Sequence, residues 1–310
     1  MYYNLQSKFR PRNNMQFSFT IPTYNYANRI TIALESILAQ EGNDYEIIIV
    51  DDGSIDNTAE VINPYLAKYP QLVRYFHQSN QGHTAARNFA AQMAKGEFIF
   101  TLDADDRLLP NALQIMRQAR KDYPQADLII AQHVAVSANG KHPIKPKPKL
   151  SKNKADNFTF YLRKGFSIPH GSHIIKRDIF NHIQYPRNIL GREDIVFFAQ
   201  VLANYSAVTI NNPVLEVIKH PDSFRHQLDK QYGSLAIVET LFNSAIIPAP
   251  LLSYKKEFES RLCLSFFRDH YRAGNYQVAR QWYCKAITLK PARLLQLSYF
   301  TKFIRSLGKQ

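Results

Sequence analysis

The residues best suited to chemistry lie in three short polar clusters, each of which directly follows an apolar run. The clusters are Pro22-Thr23-Tyr24-Asn25, Asp51-Asp52-Gly53-Ser54 and Asp103-Ala104-Asp105-Asp106. Parallel strands end at the same edge of their sheet, and ligands bind outside the carboxyl ends of such strands. The three clusters therefore predict one site that combines an aromatic ring, several carboxylates and a glycine turn.

Asp103 and Asp105 form a D-x-D pattern that can bind a cation. On an extended backbone, residues i and i+2 point to the same side, so both carboxylates can face one ion. Mg²⁺ and Mn²⁺ take oxygen ligands and complete their coordination with substrate phosphates. A solvated turn with a helix cap is the alternative, but the position directly after a buried strand favours the metal site.

Tyr24, Asp52 and Arg87 have the side chains that a nucleotide needs. An aromatic ring can stack on a base, and a carboxylate at a strand end can accept a hydrogen bond from a base or a ribose. A guanidinium near the start of a helix favours phosphate. The structural alternatives are a core aromatic, an ordinary Asp-Gly-Ser turn and a surface arginine.

Alternating strands and helices are expected to position these clusters. Apolar runs predict strands at 17–21, 46–50, 72–78, 97–102 and 127–136, with two more in AVTI and VLEVIKH (from 207 to 220). Helical periodicity separates them at 29–40, 84–95, 110–122 and 192–204. This alternation predicts an α/β fold with a mostly parallel sheet and helices on both faces.

The pattern divides the chain into three parts. A polar tail (1–16) precedes an α/β domain at 17–230, which contains a basic loop at 137–157 without periodicity. A helical C-terminal region follows at 231–310. The loop is interpreted either as a lid over the acceptor site or as a solvated linker.

The net charge of +14 is concentrated in two segments. Residues 141–154 contain six lysines and no acid, and residues 226–310 contain thirteen basic and five acidic residues. Such a local excess favours an anionic partner surface, although solubility alone also explains it. Aromatic residues lie among the C-terminal cations (Phe266, Phe267, Arg268, Tyr271, Arg272, Tyr299, Phe300, Lys302, Phe303 and Arg305).

Composition and missing motifs remove several function classes. No apolar run approaches the 18 residues of a membrane span, and the tail is not a secretory signal. Only two cysteines, Cys263 and Cys284, are present, which predicts a reducing compartment and hence a cytoplasmic location. The sequence contains no glycine-rich dinucleotide or P-loop motif and no H-E-x-x-H or G-x-S-x-G motif.

Four segments in register resemble a family-2 glycosyltransferase of the GT-A fold, the nucleotide-diphospho-sugar transferase fold. They are PTYN, IIIVDDGSIDNT, GHTAARNFAAQMAKGEFIFTLDADD and GREDIVFFAQVL, and the likeness covers about residues 17–225. The resemblance implies a UDP-sugar donor and Mn²⁺ or Mg²⁺ on its diphosphate. It also implies an inverting transfer to a glycan or lipid-linked glycan in lipopolysaccharide, capsule or other surface polysaccharide synthesis.

The resemblance also assigns roles to individual residues. Asp194, with Glu193 beside it, matches the catalytic base, while Asp103, Asp105 and His220 match the metal site, with His226 as an alternative to His220. The implied donor-binding residues are Pro22, Tyr24, Asn25, Asp52, Arg87, Asp103 and His170. For His170, a turn that enters a strand is the alternative role, and helix-dipole stabilisation is the alternative for Glu193 and Asp194.

Three further interpretations concern partners. The basic C-terminal helices suit peripheral docking on an anionic leaflet, on the inner face of the cytoplasmic membrane, or they cap the fold or form an oligomer interface. A nucleotide-sugar-binding protein without catalysis is the alternative to the enzyme. A nucleic-acid-binding module is disfavoured, because the chain outside residues 141–154 and 226–310 has no net charge and no nucleic-acid motif is present.

Overall fold

A computed structural model describes residues 15–137, 140–141, 146–189, 191–219 and 235–308. The described residues form two compact units. One comprises those of Met1–Asn188 and Glu193–Ser223, and the other comprises those of Ile189–Arg192 and Phe224–Gln310. The predicted domain boundary at 230/231 and the two histidines His220 and His226 lie outside the described residues, as do 1–14 of the predicted tail.

A sheet of nine strands forms the frame of the first unit in its described residues. The strands are β1 (Phe17–Thr23), β2 (Tyr45–Asp51), β3 (Val73–His77), β4 (Phe98–Thr101), β5 (Arg107–Leu108), β6 (Leu128–Ser137), β7 (Gly140–Lys141), β8 (His173–Lys176) and β9 (Ala207–Ile218). Their order is β3-β2-β1-β4-β8-β6-β9-β5, with β7 paired to β6. The four strands β3, β2, β1 and β4 are parallel, so their carboxyl ends lie at one edge.

Helices alternate with these strands along the chain. They are α1 (Ile30–Leu38), α2 (Thr58–Lys68), α3 (His83–Met93), α4 (Ala112–Asp122), α5 (Lys154–Leu162) and α6 (Glu193–Asn204). Every residue of β1 and β2 is buried, which requires cover on both faces of the sheet. The predicted α/β fold with a mostly parallel sheet is confirmed.

The polar side chains of the central strands can be buried because they are hydrogen-bonded to one another. Ser18 Oγ donates to Glu46 Oε1 at 2.7 Å, and Thr20 Oγ1 donates to Thr101 Oγ1 at 3.0 Å. A buried hydroxyl without a partner would cost about 1–3 kcal/mol. These cross-strand hydrogen bonds therefore let β1 alternate polar and apolar residues within a closed core.

The prediction of two strands after α6 is wrong. The structure has a single strand, β9, which pairs with β6 and changes register between Thr209 and Leu215. Pro213 lies in this irregular stretch and has no backbone N–H to donate to the ladder. The interruption in the apolar pattern that separates AVTI from VLEVIKH is therefore an irregularity within one strand.

The described residues of the second unit are helical, as predicted for the C-terminal region. The helices are α7 (Ala236–Leu241), α8 (Lys255–Arg272), α9 (Tyr276–Leu289) and α10 (Leu297–Leu307), with short 3₁₀ helices at Ala249–Tyr254 and Pro291–Leu295. Their core contains Cys263, Leu264, Phe267, Ala279, Tyr283 and Ala286. No helix in the described ranges has both the length and the apolar character that crossing a membrane requires.

Several aromatic residues that the sequence suggested for a membrane face belong to this core instead. Phe266 and Phe267 are buried, and Tyr299 and Phe303 of α10 pack against the core cluster. The ring of Phe303 stacks on Tyr283, with 4.5 Å between their centroids. Interleaved aromatic and basic residues in these helices therefore reflect packing rather than a single exposed surface.

Candidate functional site

Arg87, on α3, links the end of β4 to the start of α6. Its Nη2 donates to Asp103 Oδ1 at 2.9 Å, and its Nη1 lies 3.6 Å from Glu193 Oε1. The guanidinium also lies over the ring of Tyr185, 5.7 Å from the ring centroid. Two motifs separated by about ninety residues in the sequence therefore meet around one cation.

Asp52 connects the end of β2 to the start of α3. Its Oδ1 accepts from Gln78 Nε2 at 2.7 Å and from the Gln81 N–H at 2.9 Å, and its Oδ2 accepts from the Gly82 N–H at 2.7 Å. Gly82 precedes α3 at a φ of +89°, a conformation that favours glycine. The buried carboxylate thus fixes the turn from which α3 carries Arg87 into the site, and its predicted contact with a base stays a prediction.

The first polar cluster lies beside the second. Asn25 has a φ of +56°, its N–H donates to Ser54 Oγ at 2.9 Å, and its Oδ1 accepts from the Ile55 N–H at 2.8 Å. Pro22 is buried in β1, opposite Val50 of β2. Tyr24 is 41% exposed, so its ring has a face open for stacking. The donor-binding roles predicted for these residues stay predictions.

Asp103 and Asp105 stand at the end of β4 and are both half-buried. Burial favours the neutral form of Asp103. The charge that His170 carries at low pH, the charge of Arg87 and the hydrogen bond from Arg87 outweigh burial and lower the pKa of Asp103 to about 2. Asp106, the third acid, is buried and accepts from the Ile218 N–H at 3.0 Å, so it holds β9. The carboxylate of Asp103 is therefore ionised at neutral pH.

The two acids fit a hard cation that a substrate helps to hold. Within the described residues, no three His, Cys, Asp or Glu side chains are grouped to hold a metal ion. Two carboxylates supply only oxygen ligands, which is the donor type of Mg²⁺ and Mn²⁺, and phosphate oxygens usually supply others. The predicted third ligand, His220, lies outside the described residues.

Glu193 and Asp194 begin α6 and have opposite pKa shifts. Burial opposes ionisation of Glu193, but the hydrogen bond and charge of His83 and the charge of Arg87 lower its pKa to about 2. Burial and the negative charge of Glu193 raise the pKa of Asp194 to about 6. Because environments that separate two pKa values assign acid and base roles, Asp194 is the better proton acceptor of the pair.

His83 lies in the candidate site, although no residue pattern singled it out. Its Nε2 lies 2.7 Å from Glu193 Oε1. Because an ionised carboxylate only accepts hydrogen bonds, the proton of this bond lies on the imidazole. His83 and Arg87 are four residues apart on α3, and this spacing places both on one face of the helix.

A group of buried aromatic rings packs beside Arg87. His170 lies 5.6 Å from Tyr185 and 6.0 Å from Phe198 between ring centroids, and Tyr185 stacks on Phe197 at 4.0 Å. Burial and the charge of Arg87 lower the pKa of His170 to about 4, so its ring is neutral at pH 7. The buried Nε2 of His170 and hydroxyl of Tyr185 have no hydrogen-bond partner among the described residues.

His170 also lies in a turn that enters strand β8, as the alternative interpretation expected. Gly171 has a φ of +74°, and its N–H donates to the Thr101 carbonyl at the end of β4 (2.5 Å). His170 thus lies beside the D-x-D end of the neighbouring strand. The turn places the ring of His170 in the group around Arg87 and Asp103, and the donor-binding role of His170 stays a prediction.

A protein-family model matches the part of the chain that contains most of these residues. The model of the family described as "Glycosyl transferase family 2" matches residues 18–184, more than half of the chain. The chain belongs to glycosyl transferase family 2. The matched range includes the three polar clusters, Arg87 and His170, whereas Glu193 and Asp194 follow it. The predicted family is confirmed.

The chain is also similar to a glycosyltransferase among the curated proteins. The chain is 30% identical over 189 residues to the uncharacterized glycosyltransferase YibD of Escherichia coli (strain K12). The alignment covers 59% of this chain and 52% of that protein. The chain therefore spans about half the length of this relative.

Solved structures show the same fold at low sequence identity. The crystal structure of S. aureus TarS 1-349 in complex with UDP-GlcNAc has a TM-score of 0.67 at 20% identity, over 94% of this chain and 89% of that chain. The mannosyltransferase PcManGT from Pyrobaculum calidifontis, in complex with GDP-Man and Mn²⁺, has a TM-score of 0.57 at 17% identity, over 97% and 87%. The predicted GT-A fold is therefore confirmed.

Proposed function

We propose that this protein transfers a sugar from a UDP-sugar donor to a hydroxyl group of a glycan, with inversion at the anomeric carbon. The observation that carries the proposal is the bridge made by Arg87 between Asp103 and Glu193, because it joins the D-x-D end of β4 to the predicted base motif. The fold shared with a TarS structure that contains UDP-GlcNAc supports a UDP-sugar donor.

Asp194 takes the proton of the acceptor hydroxyl in this proposal. The acceptor oxygen bonds to the anomeric carbon as the bond from that carbon to the diphosphate breaks, and the nucleotide leaves as UDP. A base works best when its pKa lies near the operating pH, and the pKa of about 6 for Asp194 meets this condition. Attack on the face opposite the diphosphate inverts the anomeric carbon.

Asp103 and Asp105 would hold a divalent cation together with the donor diphosphate. A bound Mn²⁺ or Mg²⁺ would stabilise the negative charge that grows on the leaving diphosphate. The Mn²⁺ in the PcManGT complex, which has the same fold, supports this part of the proposal. The charge of Arg87 keeps Asp103 ionised, and the hydrogen bond from Arg87 fixes the position of the Asp103 carboxylate.

The acceptor in this proposal is a growing surface glycan such as lipopolysaccharide or capsule, and the reaction takes place in the cytoplasm. This part rests on the family resemblance and on the composition of the chain. A panel of surface-glycan fragments with defined reducing ends tests it, since transfer to one of them names the acceptor.

The donor and the metal can be tested together by nucleotide release. We expect the protein with Mn²⁺ to release UDP from one member of a panel of UDP-sugars, and EDTA to abolish the release. Asp105→Asn should weaken UDP binding at least about tenfold in the presence of Mn²⁺. Asp122→Asn, an exposed acid on α4, is the matched control and should bind UDP normally. Release of GDP from GDP-mannose alone would contradict the choice of donor.

A further inference from the structure

Exposed apolar side chains are concentrated on α10 and on the short 3₁₀ helix that precedes it. Eleven large hydrophobic side chains are exposed among the described residues, and six of them lie between 294 and 307. We call these six the apolar ridge: Leu294, Leu295, Leu297, Phe300, Ile304 and Leu307. Single exposed apolar residues are ordinary, but a contiguous group marks an interaction surface.

The adjoining face of α10 packs on the core, so α10 is held in place beside the ridge. Tyr299 and Phe303 pack on the core of the second unit, and Arg280 Nη1 donates to the Ser306 carbonyl at 2.5 Å. In contrast, Leu295 is 82% exposed and Leu297 is 77% exposed. A helix held this way presents its remaining apolar side chains in a fixed line.

The segment that contains the ridge is basic. The sequence from His270 to Gln310 contains eight Lys and Arg residues and no Asp or Glu. Lys290 and Arg293 are paired with Glu257 of α8, whereas Arg305 is exposed on α10. A second copy of this surface would bring like charges together, whereas an anionic surface would neutralise them.

We propose that the apolar ridge is a docking surface for an anionic phospholipid bilayer. The six side chains enter the boundary between head groups and acyl chains, while Arg305, which is exposed on the same helix, contacts the lipid phosphates. An amphipathic helix with an apolar face and basic flanks has the features of such an interfacial element. Of the interleaved aromatic residues first considered, Phe300 belongs to this surface, whereas Phe266, Phe267, Tyr299 and Phe303 pack in the core.

Vesicle flotation with the full chain tests the proposal, without any sugar donor or acceptor, so that its outcome is independent of transferase activity. We expect binding to vesicles that contain phosphatidylglycerol and none to pure phosphatidylcholine vesicles. Leu297→Ser combined with Ile304→Ser should weaken binding at least about tenfold, because two apolar side chains no longer enter the bilayer. Val278→Ser, at an exposed apolar position on α9, is the matched control and should bind normally.

A second pair of variants tests the charge without altering the apolar side chains. Arg305→Gln should weaken binding roughly fivefold. Lys121→Gln removes the same charge at an exposed position elsewhere and should have no such effect. Circular dichroism melting of every variant distinguishes lost binding from lost folding.

Two results would overturn the proposal. One is that the unaltered chain fails to float with anionic vesicles, or that the ridge variant floats as well as the unaltered chain. The other is a dimer in sedimentation velocity that the ridge variant dissolves, in a chain that binds no vesicles. That second result would assign the ridge to a second copy of the chain.

Discussion

Glu193 and Asp194 show how neighbouring carboxylates obtain different properties from their surroundings. Glu193 accepts a hydrogen bond from His83 and lies near Arg87, so its charge is compensated within the fold. Asp194 has the backbone N–H of Ile195 as a partner (2.8 Å) and the charge of Glu193 beside it. We therefore propose that Glu193 is a positioning residue and that Asp194 is the proton acceptor.

The first prediction concerns the proton accepted by Asp194. Because only the ionised carboxylate accepts a proton, kcat/KM should rise with pH and level off above about pH 6, the pKa of Asp194. Asp194→Asn should lower kcat by about 10²–10⁴-fold and leave UDP affinity nearly unchanged. Initial rates across pH and calorimetric titration with UDP measure these effects. Unaltered transfer by Asp194→Asn would reject the assignment.

His83 offers a residue-scale test that separates positioning from catalysis. If His83 acts through Glu193, His83→Gln, which retains a donor, should keep more activity than His83→Ala. The loss in His83→Ala should be accompanied by a shift in the pH at which kcat/KM levels off, since the charge on Glu193 influences Asp194. A merely structural role would lower the melting temperature without moving the pH profile.

At the scale of elements, the site depends on turns that bring strand ends and helix starts together. The turn before β8 leaves no room for a larger residue, because a Cβ on Gly171 would lie 2.6 Å from Leu215 Cδ1 and 2.8 Å from Leu102 Cδ1. Both leucines are fully buried and have little room to move. Only glycine fits this turn at its φ of +74°.

Gly171→Ala should therefore destabilise the fold more than the backbone conformation alone explains. The positive φ costs about 1–2 kcal/mol, and overpacking of the core adds about 1–3 kcal/mol. Gly140→Ala is the matched control, because its φ is +97° with no atom within 4 Å of the added Cβ. Urea unfolding of the two variants measures these costs. Equal losses in the free energy of unfolding would show that Leu102 and Leu215 move aside without cost.

At the scale of the whole molecule, buried histidines link folding to pH. Burial lowers the pKa of His173 to about 3 and that of His170 to about 4, from an ordinary value of 6.5. Between these values the unfolded chain binds protons that the folded chain does not, so the free energy of unfolding falls as pH falls from 7 to 4. The raised pKa of Asp194 acts in the opposite direction but involves a single group.

The stability of the protein should therefore decline below pH 6.5, before ordinary acid unfolding begins. At pH 5, each buried histidine should reduce the free energy of unfolding by about 1–2 kcal/mol relative to pH 7. His173→Gln should reduce the change in melting temperature between pH 7 and pH 5. His182→Gln, which replaces an exposed histidine, should not reduce it. Identical pH profiles for the two variants would contradict this account.

The sequence by itself determined the family, the α/β fold and the alignment of three polar clusters at one sheet edge. These depend on local rules, because strand and helix periods and the parallel connection fix where each strand ends. The segments that carry Asp52, Arg87, Asp103 and Asp194 are recognisable for the same reason, since each follows a buried strand or begins a helix.

Only the tertiary structure decided which of these groups meet and which aromatic residues face outward. The bond between His83 and Glu193 joins residues 110 positions apart, and Phe267 is buried while Leu297 is exposed. Hydrogen-bond partners and burial depend on the order of strands and the rotation of each helix. These come from packing across the whole unit, which the residues along one segment do not specify.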